Sequence, residues 1–147
     1  DEPTTALDVT VQAQILDLLG ELQDRLGMAL VMVTHDVGVA EQMADEVAVM
    51  YAGRVVEIGP VDVVLGRPAH PYTAALLGAQ PRPDVARGAL RAIPGVPPLP
   101  SRLAAGCAFA PRCERRATEC DEAEPRLERG AAVLVACHRP IAVRRTA

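Results

Sequence analysis

The chain has 147 residues, half of them hydrophobic, with a formal charge of -4 and only 2% aromatics. This length buries roughly two thirds of the unfolded surface. Although all 15 basic residues are Arg, the lack of base-stacking side chains argues against nucleic acid as a partner.

No apolar run reaches the ~18–20 residues that span a bilayer, and no basic-then-apolar signal opens the chain. A soluble, cytosolic protein is therefore expected. Its core has to come from Val, Leu, Ile, Ala and Met, the mix of buried parallel sheets and their covering helices. Charge is divided: residues 1–80 hold twelve acids against three arginines, and residues 81–147 seven acids against twelve arginines. Two regions with different tasks are expected.

The chain opens on Asp1-Glu2-Pro3-Thr4-Thr5-Ala6-Leu7-Asp8, adjacent carboxylates ahead of a turn. From Val9 to Leu26 the apolar residues Val11, Ile15, Leu18, Leu19, Leu22 and Leu26 fall at helical spacing, with Asp8 or Thr10 as cap and Gly27 as the left-handed stop. Met28 to Thr34 runs apolar without alternation, which predicts a central strand covered on both faces. A short helix over 37–43 and a strand over 47–51 follow. Ala52-Gly53-Arg54 predicts a tight turn into an antiparallel edge strand, Val55 to Ile58, broken by Gly59-Pro60. Pro60 and Pro71 suit the openings of helices running to about Leu65 and Leu77. Six prolines between Pro81 and Pro100 predict an extended linker.

A strand, a helix and a parallel strand connect with right-handed crossover. If Asp1-Glu2 ends one strand and Thr34-His35-Asp36 ends the next, Glu2 and His35 emerge at the same carboxyl edge, where open α/β sheets bind ligands. Phosphoryl transfer needs one carboxylate to hold Mg2+, a second to orient or deprotonate water, and an imidazole near the terminal phosphate. An Asp-Glu pair alone, or a lone His, would more simply be a helix cap. The spacing of all three groups is what points to nucleotide hydrolysis.

These segments resemble the end of the Walker B strand, the D-loop and the switch histidine of ABC transporter ATPases. The resemblance implies that Asp1 binds Mg2+, Glu2 is the general base, His35 senses the γ-phosphate of ATP, and Asp8 links two subunits of a nucleotide-sandwich dimer. It implies a partial P-loop NTPase-type parallel sheet with helices, an α/β fold. The Gly-x-x-x-x-Gly-Lys-Ser/Thr loop, the glutamine loop and the Leu-Ser-Gly-Gly-Gln signature are not in this sequence, and the chain has no Lys at all. A fragment without turnover of its own is expected.

The tail narrows the resemblance. His70-Pro71-Tyr72-Thr73, Ile93-Pro94-Gly95-Val96-Pro97-Pro98 and the cysteine segment are similar to the C-terminal extension of oligopeptide and dipeptide importer ATPases, with nickel importers of the same branch close by. Cys107, Cys113, Cys120 and Cys137 are spaced C-x5-C-x6-C-x16-C. Four thiolates in a core-poor segment can fold it around a metal, since binding free energy then becomes folding free energy. The resemblance implies an iron-sulfur centre of the 4Fe-4S type; zinc and free thiols are the other readings. Disulfides are disfavoured in a cytosolic chain. Arg112, Arg115 and Arg116 are expected to offset the thiolates, His138 to lie at the surface, and His70 to open its helix rather than act as a base.

The expected organisation is residues 1–80 as the C-terminal part of a nucleotide-binding domain, 81–106 as linker, and 107–147 as a small irregular cysteine-bearing extension. The implied setting is the inner face of the bacterial membrane. There a second ATP-binding subunit, permease subunits and, indirectly, a peptide-binding protein are the partners. A detached metal-binding module and a DNA-repair ATPase are the competing readings, the latter opposed by the His-Pro-Tyr-Thr segment and the cysteines.

Overall fold

The computed structural model describes residues 1–80, 92–99 and 105–142. It forms two compact units, Asp1–Ala44 and Asp45–Ala147. Much of the expected linker, and the last five residues, lie outside the described residues.

In the first unit α1 spans Val9–Leu26. Its start is fixed by Asp8, whose carboxylate accepts the N–H groups of Thr10 at 3.0 Å and Val11 at 2.9 Å, two of the four donors a helix leaves unpaired at its beginning. Gly27, at φ 59°, ends it in the left-handed conformation that a side chain would resist. The buried residue of α1 is Leu16, whereas Leu18 and Leu26 of the apolar stripe stand exposed. A second helix, α2, spans Val37–Met43 and is capped by Asp36.

Between the helices, residues 28–34 do not form the expected central strand. Val31 is 91% exposed, and the one interstrand-like backbone bond of the segment among the described residues runs from Glu2 N–H to the Val33 carbonyl, 2.8 Å. A strand is stable only with neighbours to take its N–H and C=O groups. The described residues of this unit supply no such ladder.

The second unit is built on a hairpin of β1, Glu46–Tyr51, and β2, Arg54–Pro60. Ala52 and Gly53 both have positive φ, 50° and 79°, the twist that a two-residue hairpin turn demands. The pairing shifts so that Val49 faces Glu57 while Met50 faces Val55. Val56 is thereby left over as a bulge, and Val56 and Glu57 are both buried where alternation would have put one of them outside. After the hairpin come α3, Val61–Gly66, and α4, Pro71–Gly78. A single 3-10 turn at Ala110–Arg112 and the one-turn α5, Glu119–Glu122, follow.

The cysteine segment is not irregular throughout. It supplies β3, Glu128–Arg129, and β4, Leu134–Val135, which complete a four-stranded sheet of order β1-β2-β4-β3 with every pairing antiparallel. The chain is thus α/β, with its sheet antiparallel among the described residues. Gly59 permits the junction, because a Cβ there would lie 2.8 Å from Val133 Cγ1. All three aromatic residues of the chain meet in one cluster: Tyr51, Tyr72 and Phe109, with ring centres 4.6 to 5.4 Å apart. They join β1, α4 and the cysteine loop in one core.

No helix among the described residues is long and apolar enough to cross a membrane.

Candidate functional site

Glu2 and His35 are brought together. Glu2 Oε1 accepts from His35 Nδ1 at 2.9 Å, and Oε2 accepts from the Thr5 hydroxyl at 2.8 Å. These two bonds, His35 first, hold the Glu2 carboxyl below its usual range. The backbone bond from Glu2 to Val33 fixes the same approach two residues before His35. Glu2 and Ala6 are non-glycine residues at positive φ, 42° and 64°. The loop between them is closed by Thr5 N–H to Glu2 C=O and Leu7 N–H to Thr4 C=O. Backbone in this sparsely allowed region persists only where its surroundings over-determine it.

The pair is open to solvent, with side chains 74% and 43% exposed for His35 and Glu2. Such a contact adds little to stability; it sets orientation. Each carboxylate oxygen keeps a second lone pair for an incoming donor. Asp1 is exposed, and its carboxylate makes no hydrogen bond or ion pair among the described residues. Asp8 is occupied as the cap of α1, so the structure gives it a local task at the helix start.

In the second unit Cys107, Cys113, Cys120 and Cys137 all line one small enclosure, with His70, Phe109 and Arg115 among its other walls. The four are free thiols, Cys120 buried and the others half-buried. Burial raises the Cys107 and Cys113 thiols and pushes Cys137 up to about 11, with the neighbouring cysteines adding to each. Backbone N–H groups pull the other way: Phe109 and Ala110 toward Cys107, Arg115 toward Cys113, Arg139 toward Cys137. Amides that favour the ionised sulfur are what a thiolate ligand needs. No three His, Cys, Asp or Glu side chains among the described residues are already gathered at ion-holding separation. Four soft donors that line one enclosure are the residues of this unit that could hold a metal.

One residue that the sequence did not single out shapes this unit. Glu57 is wholly buried, and its oxygens accept the backbone N–H groups of Ala69 at 2.7 Å and His70 at 3.0 Å. The signal for it was an acid inside an apolar strand. Arg112 does not offset thiolates as expected but ties three pieces together, donating to Pro94 C=O at 2.8 Å, Ile93 C=O at 3.2 Å and the Tyr51 hydroxyl at 3.2 Å. Arg115 donates to Arg139 C=O and Arg116 pairs with Asp121. His138 is exposed, with Nε2 2.9 Å from Ala123 C=O.

His70 opens α4 as expected, its Nδ1 accepting the Tyr72 N–H at 3.0 Å. Its side chain is almost wholly buried, and burial lowers its pKa to about 4, partly opposed by the nearby Ala136 carbonyl. Among the described residues Nε2 has no partner in hydrogen-bonding geometry.

Residues 56–120 match the family described as the oligopeptide/dipeptide transporter, C-terminal region. A protein of Brucella abortus (strain 2308) is 50% identical over 125 residues, covering 85% of this chain and 38% of its own length. One of Brucella ovis is 53% identical over 133 residues, covering 86% and 39%. Both carry the provisional name of peptide import ATP-binding protein. The chain thus spans about two fifths of the length of these curated relatives.

Proposed function

From the premise that the chain is a relative of peptide import ATP-binding proteins, with residues 56–120 forming the oligopeptide/dipeptide transporter C-terminal region, we propose that it is the C-terminal part of the subunit whose ATP hydrolysis drives peptide import. The observation that carries this reading is the 2.9 Å contact between Glu2 and His35 across 33 positions of sequence. Hydrolysis of a terminal phosphate requires a base that is ionised and aimed. Bonds from His35 and Thr5 do both for Glu2, and its remaining lone pairs face an attacking water. His35 is the group next to the transferred phosphate, and its contact with Glu2 links the base to the occupancy of that position. The exposed, unengaged carboxylate of Asp1 suits a hard cation such as Mg2+, which would neutralise phosphate charge when bound. Asp8 reaches the second subunit from the start of α1.

The exposed apolar segment 28–34 supports a parallel sheet completed by other parts of the whole protein. Along the sequence we assign residues 1–80 to the nucleotide-binding part, 81–106 to a linker and 107–147 to the extension. The ATP-binding partner, the permease subunits, an associated peptide-binding protein and a peripheral place on the inner membrane face belong to the same proposal. So does an iron-sulfur centre, with zinc as the other occupant, held by Cys107, Cys113, Cys120 and Cys137.

In the whole subunit, Glu2→Gln is expected to abolish Mg-ATP hydrolysis while nucleotide binding persists. Undiminished turnover by that variant refutes the assignment. The 147-residue chain alone has neither a phosphate-binding loop nor a Lys, and it is expected to show no turnover. A second reading, a metal-binding module without catalysis, is favoured by the convergence of the four cysteines within one compact unit. Metal uptake by a whole subunit with no affinity for ATP would decide for it.

A further inference from the structure

The imidazole of His70 is 1% exposed and has one ring nitrogen accounted for. Nδ1 accepts the Tyr72 amide proton, so in the neutral ring the proton sits on Nε2. Among the described residues that N–H is buried with no acceptor in bonding geometry, the Ala136 carbonyl acting on the ring without closing a bond, a state that costs about 1–3 kcal/mol and is rare in folded proteins. His70 is also one of the residues that line the enclosure shared by Cys107, Cys113, Cys120 and Cys137. A ring nitrogen that carries a proton cannot ligate a metal; it can only donate.

We propose that His70 is a positioning residue of the cysteine centre, its Nε2–H donating a hydrogen bond to a cysteine sulfur once that sulfur is a metal-bound thiolate. This rests on the reading of the four cysteines as a metal centre. A thiol is a weak acceptor, whereas a thiolate is a strong one, so the donor finds its partner when metal arrives. Hydrogen bonds to ligand sulfurs set both affinity and reduction potential. Glu57 serves the arrangement by taking the His70 backbone N–H at 3.0 Å, which holds the backbone of that residue in place. The sequence His-Pro-Tyr thus has a division of labour. Pro71 starts α4, Tyr72 supplies the amide that selects the tautomer, and His70 carries the donor.

The test loads the 147-residue chain, with isotope-labelled histidine, with spin-active cadmium, a soft ion that four thiolates accept whichever metal is native. Expected is cadmium uptake that is lost on Cys107→Ser with Cys120→Ser. The His70 ring N–H should then become sharp, protected from exchange and split by the metal through the sulfur. His70→Asn keeps a capping acceptor for Tyr72 but withdraws the donor. It is expected to weaken cadmium affinity about tenfold and to move the thiolate-to-metal absorption to longer wavelength. Cysteine-dependent uptake with an unsplit, unprotected ring N–H overturns the role of His70 and leaves the cysteine centre standing. No cysteine-dependent uptake overturns both. Should His70→Asn fail to fold, the splitting in the unmutated chain still decides.

Discussion

Glu57→Gln changes one atom type at a residue with no exposed surface, and its effect can be worked from the contacts. The carboxylate accepts two backbone amides, Ala69 at 2.7 Å and His70 at 3.0 Å, one on each oxygen. A carboxamide retains one acceptor and turns an NH2 group toward the other amide. One charge-assisted bond of about 1.5–3 kcal/mol is lost, and one buried N–H is left facing a donor at about 1–3 kcal/mol. Allowing for relaxation, destabilisation of about 2–4 kcal/mol is expected. Set against a net stability of ~5–15 kcal/mol for an ordinary domain, that is a large fraction. The assay is urea unfolding followed by the fluorescence of Tyr51 and Tyr72, undisturbed by Trp because the chain has none, with the denaturant slope unchanged. Glu57→Asp should be similarly damaging, since a side chain one methylene shorter cannot reach both amides. A Glu57→Gln midpoint within about 0.5 kcal/mol of the parent would mean that the buried carboxylate is not what holds the α3–α4 connection to β2.

Acid should act through His70. Its folded pKa of about 4 lies below the ordinary 6.5, so its contribution is present above pH 6.5 and is lost as pH falls toward 4. A difference of this size corresponds to about 3 kcal/mol by linkage, and comparing urea midpoints of the metal-free, reduced chain with those of His70→Asn across that window isolates it; parallel curves would contradict the assignment. Gly106→Ala should loosen the cysteine segment by about 1–3 kcal/mol, because a Cβ there collides with the backbone of Cys120 and Asp121. Faster thiol labelling of Cys120 reports it, and unchanged labelling argues against that close approach. Arg112→Lys keeps the charge but not the fork that reaches Ile93, Pro94 and Tyr51 together. About 1–3 kcal/mol of stability should go with it, read as a lower urea midpoint; full stability in the variant would make the three bonds incidental.

Local rules were legible in the sequence wherever the controlling atoms were neighbours. Asp8, Asp36, Gly27, the Ala52-Gly53 turn and Pro71 each act within four residues, and each does what its type predicts. The expected strand over 28–34 does not form among the described residues, for the opposite reason. An apolar run states that a segment suits burial, but pairing needs partners, and the described residues of its unit give it only the Glu2 amide. The addition of β3 and β4 to the hairpin was likewise hidden. Strands of two residues have no periodicity to read, and what seats them is the clearance at Gly59 and the bulge at Val56, whose carbonyl takes the Ala136 amide at 2.9 Å. Of the candidate sites, the residue types were legible and the wiring was not: the Thr5 bond to Glu2, the Glu57 clamp and the unpaired His70 nitrogen depend on atoms that spacing does not specify.

The wiring also changes how the second unit is to be understood. The cysteine segment is expected from the sequence as a small irregular extension beyond a linker, yet its ties run into the hairpin. Phe109 packs on Tyr51 and Tyr72, Arg112 bonds the Tyr51 hydroxyl, and β4 pairs with β2 at Glu57 and Ile58. Tyr51 ends β1, so displacement of the Cys107–Cys113 loop is felt at the hairpin within one side-chain contact. A metal bound by these cysteines would therefore act on the same sheet that carries the buried Glu57, and its stabilisation would follow metal concentration by mass action. Chelation should lower the unfolding midpoint reported by Tyr51 and Tyr72 rather than merely loosen a tail. A midpoint indifferent to cysteine-bound metal would return the segment to the status of an appendage.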